Sequence, residues 1–251
     1  MTTTAARRVA MVTGAARGIG RATARLLAHK GYQLALVDRD AAALDGVAEE
    51  LRGNAVRTEV WVVDIASPPD VELAIQAAAG SFGRIDLLVH AAGIMSVASV
   101  EDCLPDEWQR VLAVNLTGTF AACRSVIPVM KAQGGGAIVT LSSQAARSGG
   151  TIAGIAYVAT KAGILGMVRQ MAYQLASAGI RVNAVAPGMV DTDMPRTHFS
   201  SDTIEQALST VPVHRMASPE EVAEAIAFLG SDAASYITGE TLYVSGGRSG
   251  D

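Results

Sequence analysis

Apolar runs of strand length alternate with amphipathic runs of helix length along most of this chain. Arg8–Thr13 reads as a first strand and Ile19–Lys30 as a helix. Gln33–Val37 and Val56–Val63 follow as strands, each succeeded by a helix, over Asp40–Leu51 and Pro68–Ala79. Ile85–His90 is a fourth strand, with a long helix near Asp106–Lys131 after it. Ala137–Leu141, Arg181–Val185 and Thr241–Val244 complete the set. Runs that are almost wholly apolar, with helices between them, predict strands buried on both faces. The expected fold is therefore α/β: a doubly wound, Rossmann-type parallel sheet of about seven strands with helices on both faces. Such a sheet puts a ligand crevice at the strand C-termini, where the strand order reverses.

No linker divides the chain, so residues 1–251 read as one domain. Gly134-Gly135-Gly136 marks a helix stop. The least regular stretch, about 188–217, holds Pro195 and Pro212 and is expected to form a single short helix near Asp202–Ser209. It reads as a substrate-binding loop or lid.

Composition narrows the class. Half the residues are hydrophobic but only 4% are aromatic, so the core is built from Ala, Val, Leu and Ile. A net charge of −4 argues against nucleic-acid binding. Cys103 and Cys123 match no metal-ligand spacing and read as reduced thiols, which places the chain in the cytoplasm. The Arg7-Arg8 pair is followed by too short an apolar run for an export signal, and no stretch is expected to reach the length of a membrane helix.

Two constellations carry chemistry. The first strand runs into Thr13-Gly14-Ala15-Ala16-Arg17-Gly18-Ile19-Gly20. Glycine permits a sharp turn and close backbone approach, and a helix N-terminus behind it offers free N–H groups to a pyrophosphate. The second strand ends at Asp38, placed to accept from the ribose hydroxyls of NAD and to repel the extra phosphate of NADP. Arg17 and Arg39 argue the other way. Asp64 and Ile65 are candidates for the adenine, and His90-Ala91-Ala92-Gly93 lets a cofactor lie against the backbone. His90 itself reads as a packed or hydrogen-bonded residue. The second constellation is Tyr157-x-x-x-Lys161, which a helix projects from one face. A nearby ammonium favours phenolate and brings tyrosine toward a useful acid–base range. Ser142 and Ser143 end a strand upstream, and Asn115 lies in an apolar helical stretch where its amide needs partners.

In this order and spacing the set resembles the short-chain dehydrogenase/reductase family, from Thr13 to about Gly247, including Pro187-Gly188 and Ile237-Thr238-Gly239-Glu240. The resemblance implies Tyr157 as acid/base, Lys161 as ribose ligand and pKa modulator, Ser143 as orienter of the reacting oxygen, and Asn115 as support of a water relay to Lys161. It also implies that Pro187, Gly188, Val190 and Thr192 border the nicotinamide, and that the chain assembles as a homotetramer. Two departures stand out: His90 replaces an asparagine, and Ser143 and Tyr157 are 14 residues apart, one more than the family pattern. The extra residue is expected in the Arg147–Gly154 loop.

The expected activity is hydride exchange between NAD(H) and a secondary alcohol or ketone of small size. The alternatives are an NADPH-dependent 3-oxoacyl reductase and a non-catalytic dinucleotide sensor. Docking arginines of carrier-protein reductases would fall near Pro128 and Ala178, which weakens the first. Met95, Gln144, Ile152, Met189 and Met194–Phe199 are expected to frame the substrate.

Overall fold

The computed structural model describes residues 7–150 and 152–248. In chain order the elements are β1 (Val9–Thr13), α1 (Gly18–His29), β2 (Gln33–Asp38), α2 (Ala41–Gly53), β3 (Thr58–Val62), α3 (Pro68–Phe82) and β4 (Leu87–His90). Then come α4 (Pro105–Leu112), a π-helical turn (Ala113–Thr117), α5 (Gly118–Ala132), β5 (Gly136–Leu141), α6 (Ala145–Ser148) and α7 (Ile155–Leu175). The chain continues through β6 (Ile180–Pro187), α8 (Asp193–His198), α9 (Ser201–Ser209), α10 (Pro219–Gly230) and β7 (Thr241–Val244). All seven strands are parallel, in the order β3-β2-β1-β4-β5-β6-β7.

Side-chain alternation divides the core. Ala10, Val12, Leu34, Leu36, Val139 and Val185 face α1, α2 and α10. Met11, Ala35, Leu88, Ile138, Val182 and Ala184 face α3, α5 and α7. The strand order reverses between β1 and β4, so their C-terminal ends, paired at Thr13 and His90, mark the crevice.

Several boundaries differ from the sequence reading, for local reasons. The predicted helix over Asp106–Lys131 is interrupted by the π turn that carries Asn115. The 28-residue stretch Pro105–Ala132 also contains a window of mean hydropathy 1.3 and so is long and apolar enough to span a membrane, contrary to expectation. In the fold its apolar side packs against α3 and α7. The lid contains two helices instead of one: α8 starts where Pro195 is still within its first turn, a position that needs no intrahelical N–H. α10, absent from the sequence reading, begins at a capping box between Ser218 and Glu221. The expected glycine stop holds: α5 ends before Gly134, whose φ is +87°.

His90 is buried between the neighbouring strands, in register with Thr13 and Thr140. Its Nδ1 lies 3.0 Å from Thr13 Oγ1, while Nε2 is buried with no hydrogen-bond partner among the described residues. Burial, with Lys161 adding repulsion, pushes the imidazole pKa down to about 3. The folded protein therefore binds fewer protons than the unfolded chain between pH 3 and the ordinary value of 6.5, and stability falls as pH falls through that window. From pH 6.5 to 5 the expected loss is roughly 2 kcal/mol. Urea unfolding at pH 7 and pH 5 should show this loss in the parent protein and a flattened dependence in His90→Gln.

Candidate active site

The turn after β1 is built from backbone proximity. Gly14 has φ +68°, and a Cβ there would sit 2.8 Å from the Ala92 nitrogen. A Cβ on Gly20 would sit 2.0 Å from the Gly14 carbonyl oxygen. Both positions exclude any other residue, so the end of β1, the end of β4 and the start of α1 close on one another. Thr13 Oγ1 accepts from Ala92 N–H at 3.3 Å and fixes the other side of the turn. The N-terminal turn of α1, Gly18-Ile19-Gly20, faces the crevice with no acidic residue in it.

Asp38 ends β2 with both carboxylate oxygens engaged. Oδ2 accepts from Ala16 N–H at 3.0 Å and Oδ1 from Asp40 N–H at 3.1 Å. Arg17 is drawn away from this carboxylate into a hydrogen-bonded ion pair with Asp40. Arg39 is exposed. The Asp64 carboxylate accepts from Ala66 N–H at 2.9 Å, and Ile65 is buried under Gly118 in the core. Both behave as ordinary strand-end residues in the protein's own contacts.

The chemical residues meet at the C-terminal end of β5. α7 carries Tyr157 and Lys161 one turn apart, both buried. The Lys161 ammonium donates to the Leu141 carbonyl at 2.8 Å and lies 5.6 Å from the centre of the Tyr157 ring. The Ser143 hydroxyl and the Tyr157 phenol line the same cavity, and the serine works against the rise that burial imposes on the Tyr157 pKa. Ser142, its neighbour, turns inward and donates to the Lys161 carbonyl at 2.8 Å, so it anchors α7 and leaves Ser143 to face the cavity.

Asn115 is buried in the π turn. Its Oδ1 accepts from Ile94 N–H at 2.8 Å, and its Nδ2 donates to the Ile94 carbonyl at 2.9 Å and Thr160 Oγ1 at 3.3 Å. These bonds hold the chain after β4 against α7. Gly93 fits between the groups: a Cβ there would approach Asn115 Oδ1 to 3.3 Å and Lys161 Nζ to 3.5 Å.

A cavity of about 170 Å³ opens over Tyr157. Ile19, Ala91, Gly93, Pro187, Gly188, Val190 and Thr192, expected to border a cofactor, are among its lining residues. Met95, Gln144, Ile152, Met189, Met194 and Phe199 also line it, as expected from the sequence. The sequence reading missed Arg248 and the neighbouring Gly150 and Ala153. The signal for Arg248 was the Gly246-Gly247 pair before it, which forces a turn after β7. The Arg147–Gly154 loop, where the extra residue was expected, brings Gly150 and Ile152 to the cavity; its Thr151 lies outside the described residues.

The electrostatics differ from expectation in one respect. Burial raises the Tyr157 pKa, and the influence opposing this is the Ser143 hydroxyl, not Lys161. Burial also pushes the Lys161 ammonium down to about 8.

Residues 14–249 match a family model described as enoyl-(acyl carrier protein) reductase. The D-threitol dehydrogenase of Mycolicibacterium smegmatis is 39% identical over 243 residues, which cover 96% of this chain and 92% of that protein. A 3-oxoacyl-[acyl-carrier-protein] reductase of Staphylococcus epidermidis is 40% identical over 242 residues, covering 95% and 97%. The crystal structure of gox2181 superposes with a TM-score of 0.93 at 33% identity, covering 96% of this chain and 95% of its own.

The Lys161 shift is also a statement about stability. A base whose pKa drops from 10.5 to about 8 on folding leaves the folded state with fewer protons across that interval, so stability rises with pH through it. Below pH 8 the buried charge costs roughly 3 kcal/mol, against about 1 kcal/mol for its hydrogen bond to Leu141. Lys161→Met is expected to unfold at or above the parent's temperature at pH 7, with the difference narrowing toward pH 10. Calorimetry at both pH values checks it.

Proposed function

The chain belongs to the short-chain dehydrogenase/reductase family, and from that premise we propose that it interconverts a secondary alcohol and its ketone with NAD(H). The observation that carries the reading is that Ser143, Tyr157 and Lys161 line one cavity together with Ile19, Ala91 and Gly93, from the turns after β1 and β4.

The residues present fit a dinucleotide. The backbone approach at Gly14, Ala92 and Gly20 leaves a bare main-chain surface beside the N-terminus of α1, where a pyrophosphate is received. Gly18, Ile19, Ala91, Gly93, Pro187, Gly188, Val190 and Thr192 would continue that contact toward Tyr157, with Lys161 beside the sugar next to the ring. When bound, the nicotinamide supplies the hydride acceptor or donor.

The chain's own residues handle the proton. Ser143 orients the reacting oxygen by hydrogen bonding. In ketone reduction the Tyr157 O–H donates its proton to the forming alkoxide. In oxidation the Tyr157 phenolate takes the alcohol proton. Burial keeps Tyr157 a phenol at neutral pH, which suits the donor role, and rising pH increases the basic form. Asn115 and Thr160 hold the Ile94 backbone and α7 together so that Lys161 stays next to Gly93, on the route by which protons reach Tyr157.

NAD is preferred because Asp38 is held rigidly at the strand end by two backbone N–H groups, while Arg17 is committed to Asp40. A second negative charge about 4 Å from Asp38 costs on the order of a few kcal/mol at an effective dielectric near 20. The reading of an NADPH-dependent 3-oxoacyl reductase is kept by the similarity to reductases of that name and by exposed Arg39. We also propose a homotetramer. Exposed Val100, Leu104 and Phe120 around α4 and α5 supply apolar surface for it.

Tyr157→Phe should lower turnover about 10²–10⁴-fold with folding intact. Full activity in that variant would reject the assignment. Alcohol oxidation should accelerate from pH 7 toward pH 10 while ketone reduction slows, as read from initial rates. Initial rates at equal cofactor concentrations should favour NAD over NADP by tenfold or more, on the order set by the charge repulsion, and Asp38→Ala should narrow the gap. A reversed ratio in the parent protein would select the NADPH reading.

A further inference from the structure

The cavity over Tyr157 is small for the work assigned to it. Its volume is about 170 Å³, whereas sites for ligands of drug size run to roughly 300–1,000 Å³. It has to receive the ring of the cofactor as well as the reacting carbon, so room is left for the carbinol and few further atoms. A second cavity of about 230 Å³ adjoins it. Gln144, Gly188, Met189 and Arg248 line both, so they form the partition.

The second cavity offers a ligand mainly apolar surface. Ala207 of α9, Val211, Val213, Ala217 and Val244 of β7 contribute side chains to it, with Met189 from the partition. Its polar groups have partners within the protein. Arg215 and Glu221 meet through two hydrogen bonds of 2.7 Å, each guanidinium nitrogen taking a separate carboxylate oxygen. That carboxylate also accepts from Ser218 N–H at 2.8 Å. The Ser245 hydroxyl donates to the Arg248 carbonyl at 3.2 Å, and the Gln144 amide reaches the same carbonyl at 3.5 Å. Arg248 is not free either. A ligand that enters meets satisfied polar groups and bare aliphatic ones, which favours an uncharged, apolar occupant.

The partition is fixed in its main chain and yields in one side chain. The Met189 carbonyl accepts from Ala217 N–H at 2.9 Å, and Asp191 N–H donates to the Ala217 carbonyl at 2.8 Å, which ties the two ends of the lid together. Gly188 N–H donates to the Val244 carbonyl at 2.9 Å. A Cβ on Gly188 would sit 3.2 Å from the Ser245 Cα, so glycine lets the end of β6 and the turn after β7 close on one another. The unbranched Met189 side chain, with its rotatable bonds, is the part able to swing aside.

We propose that the second cavity is a tail subsite: the substrate is a secondary alcohol, or its ketone, carrying an unbranched apolar chain that passes Met189 and is buried there. The proposal rests on the alcohol–ketone reading above. The reacting carbon stays at Ser143 and Tyr157. The chain contributes binding that is the same before and during hydride transfer, so it acts on KM and leaves kcat.

The test follows formation of the reduced cofactor, with NAD and with NADP in parallel, from both enantiomers of 2-butanol, 2-hexanol and 2-octanol. kcat/KM should rise along the series through KM, by about fourfold for each methylene that reaches the second cavity, which corresponds to about 0.8 kcal/mol. Ala207→Phe fills that cavity from α9, and Val213→Phe fills it from a half-exposed position on a separate segment. Neither is among the described residues that line the cavity over Tyr157. Each substitution should lower the octanol-to-butanol ratio of kcat/KM by about tenfold or more. A parent ratio of one or less, or a ratio that either folded variant leaves unchanged, overturns the tail subsite. A parent protein that oxidises 2-butanol as well as the longer alcohols leaves the catalytic reading standing while this inference fails. One that oxidises no secondary alcohol in a broad panel with either cofactor defeats the catalytic reading itself.

Discussion

The hydrogen bond from the Lys161 ammonium to the Leu141 carbonyl, 2.8 Å long and buried, sets the geometry of the site. It pins the first turns of α7 to the last residue of β5. With the Ser142 hydroxyl bonded to the Lys161 carbonyl, strand and helix are joined in both directions. Ser143 follows directly on the strand side and Tyr157 precedes by one turn on the helix side, so the phenol and the serine hydroxyl face the same cavity. An ammonium in such a place is costly, as its lowered pKa shows, and a core optimised for stability alone would replace it. Its retention in a buried position fits a site where a mobile proton is wanted near neutral pH.

The cofactor end obeys a constraint of a different kind, steric rather than electrostatic. Gly14 and Gly20 are places where backbone comes too close for a Cβ, and a Cβ on Gly93 would press on Asn115 Oδ1 at 3.3 Å. Asn115 links the two ends. Its side chain clamps Ile94, immediately after Gly93, while its own backbone departs from α-helical hydrogen bonding in the π turn. The interruption of the long helix is therefore the local cost of aiming an amide at the strand end, a common use of π turns.

Strands and glycine turns were legible in the sequence because their signals are local. Buried strands read as apolar runs, and Gly14, Gly18 and Gly20 declare a turn by composition alone. Tyr157, Lys161, Ser143 and Asn115 were legible through their order along the chain. The π turn was not, since Ala113–Thr117 has the composition of any apolar helix and its register is set by Ile94 and Thr160, distant in sequence. The raised Tyr157 pKa was likewise out of reach. A spacing of four residues brings an ammonium near a phenol, but whether burial or charge dominates depends on how deeply both lie. Arg17 gives the same lesson: its partner Asp40 lies 23 positions on, and only the fold shows the guanidinium turned from Asp38.

The two walls of the cavity are held by different means, and this bears on how such a site diversifies. The cofactor wall consists of strand ends and tight turns, where substitutions strain the backbone. The substrate wall is carried by α8, the connection to Tyr157 around Gly150–Ala153, and the turn after β7. These segments lie outside the sheet, so their side chains can change with small effect on the core. Arg248 sits on that changeable wall, yet its main chain is bonded to Ser245 and approached by Gln144. The residues that position Ser143, Tyr157 and Lys161 lie on β5 and α7, away from those segments. Proton chemistry and substrate choice can then vary independently within the same fold.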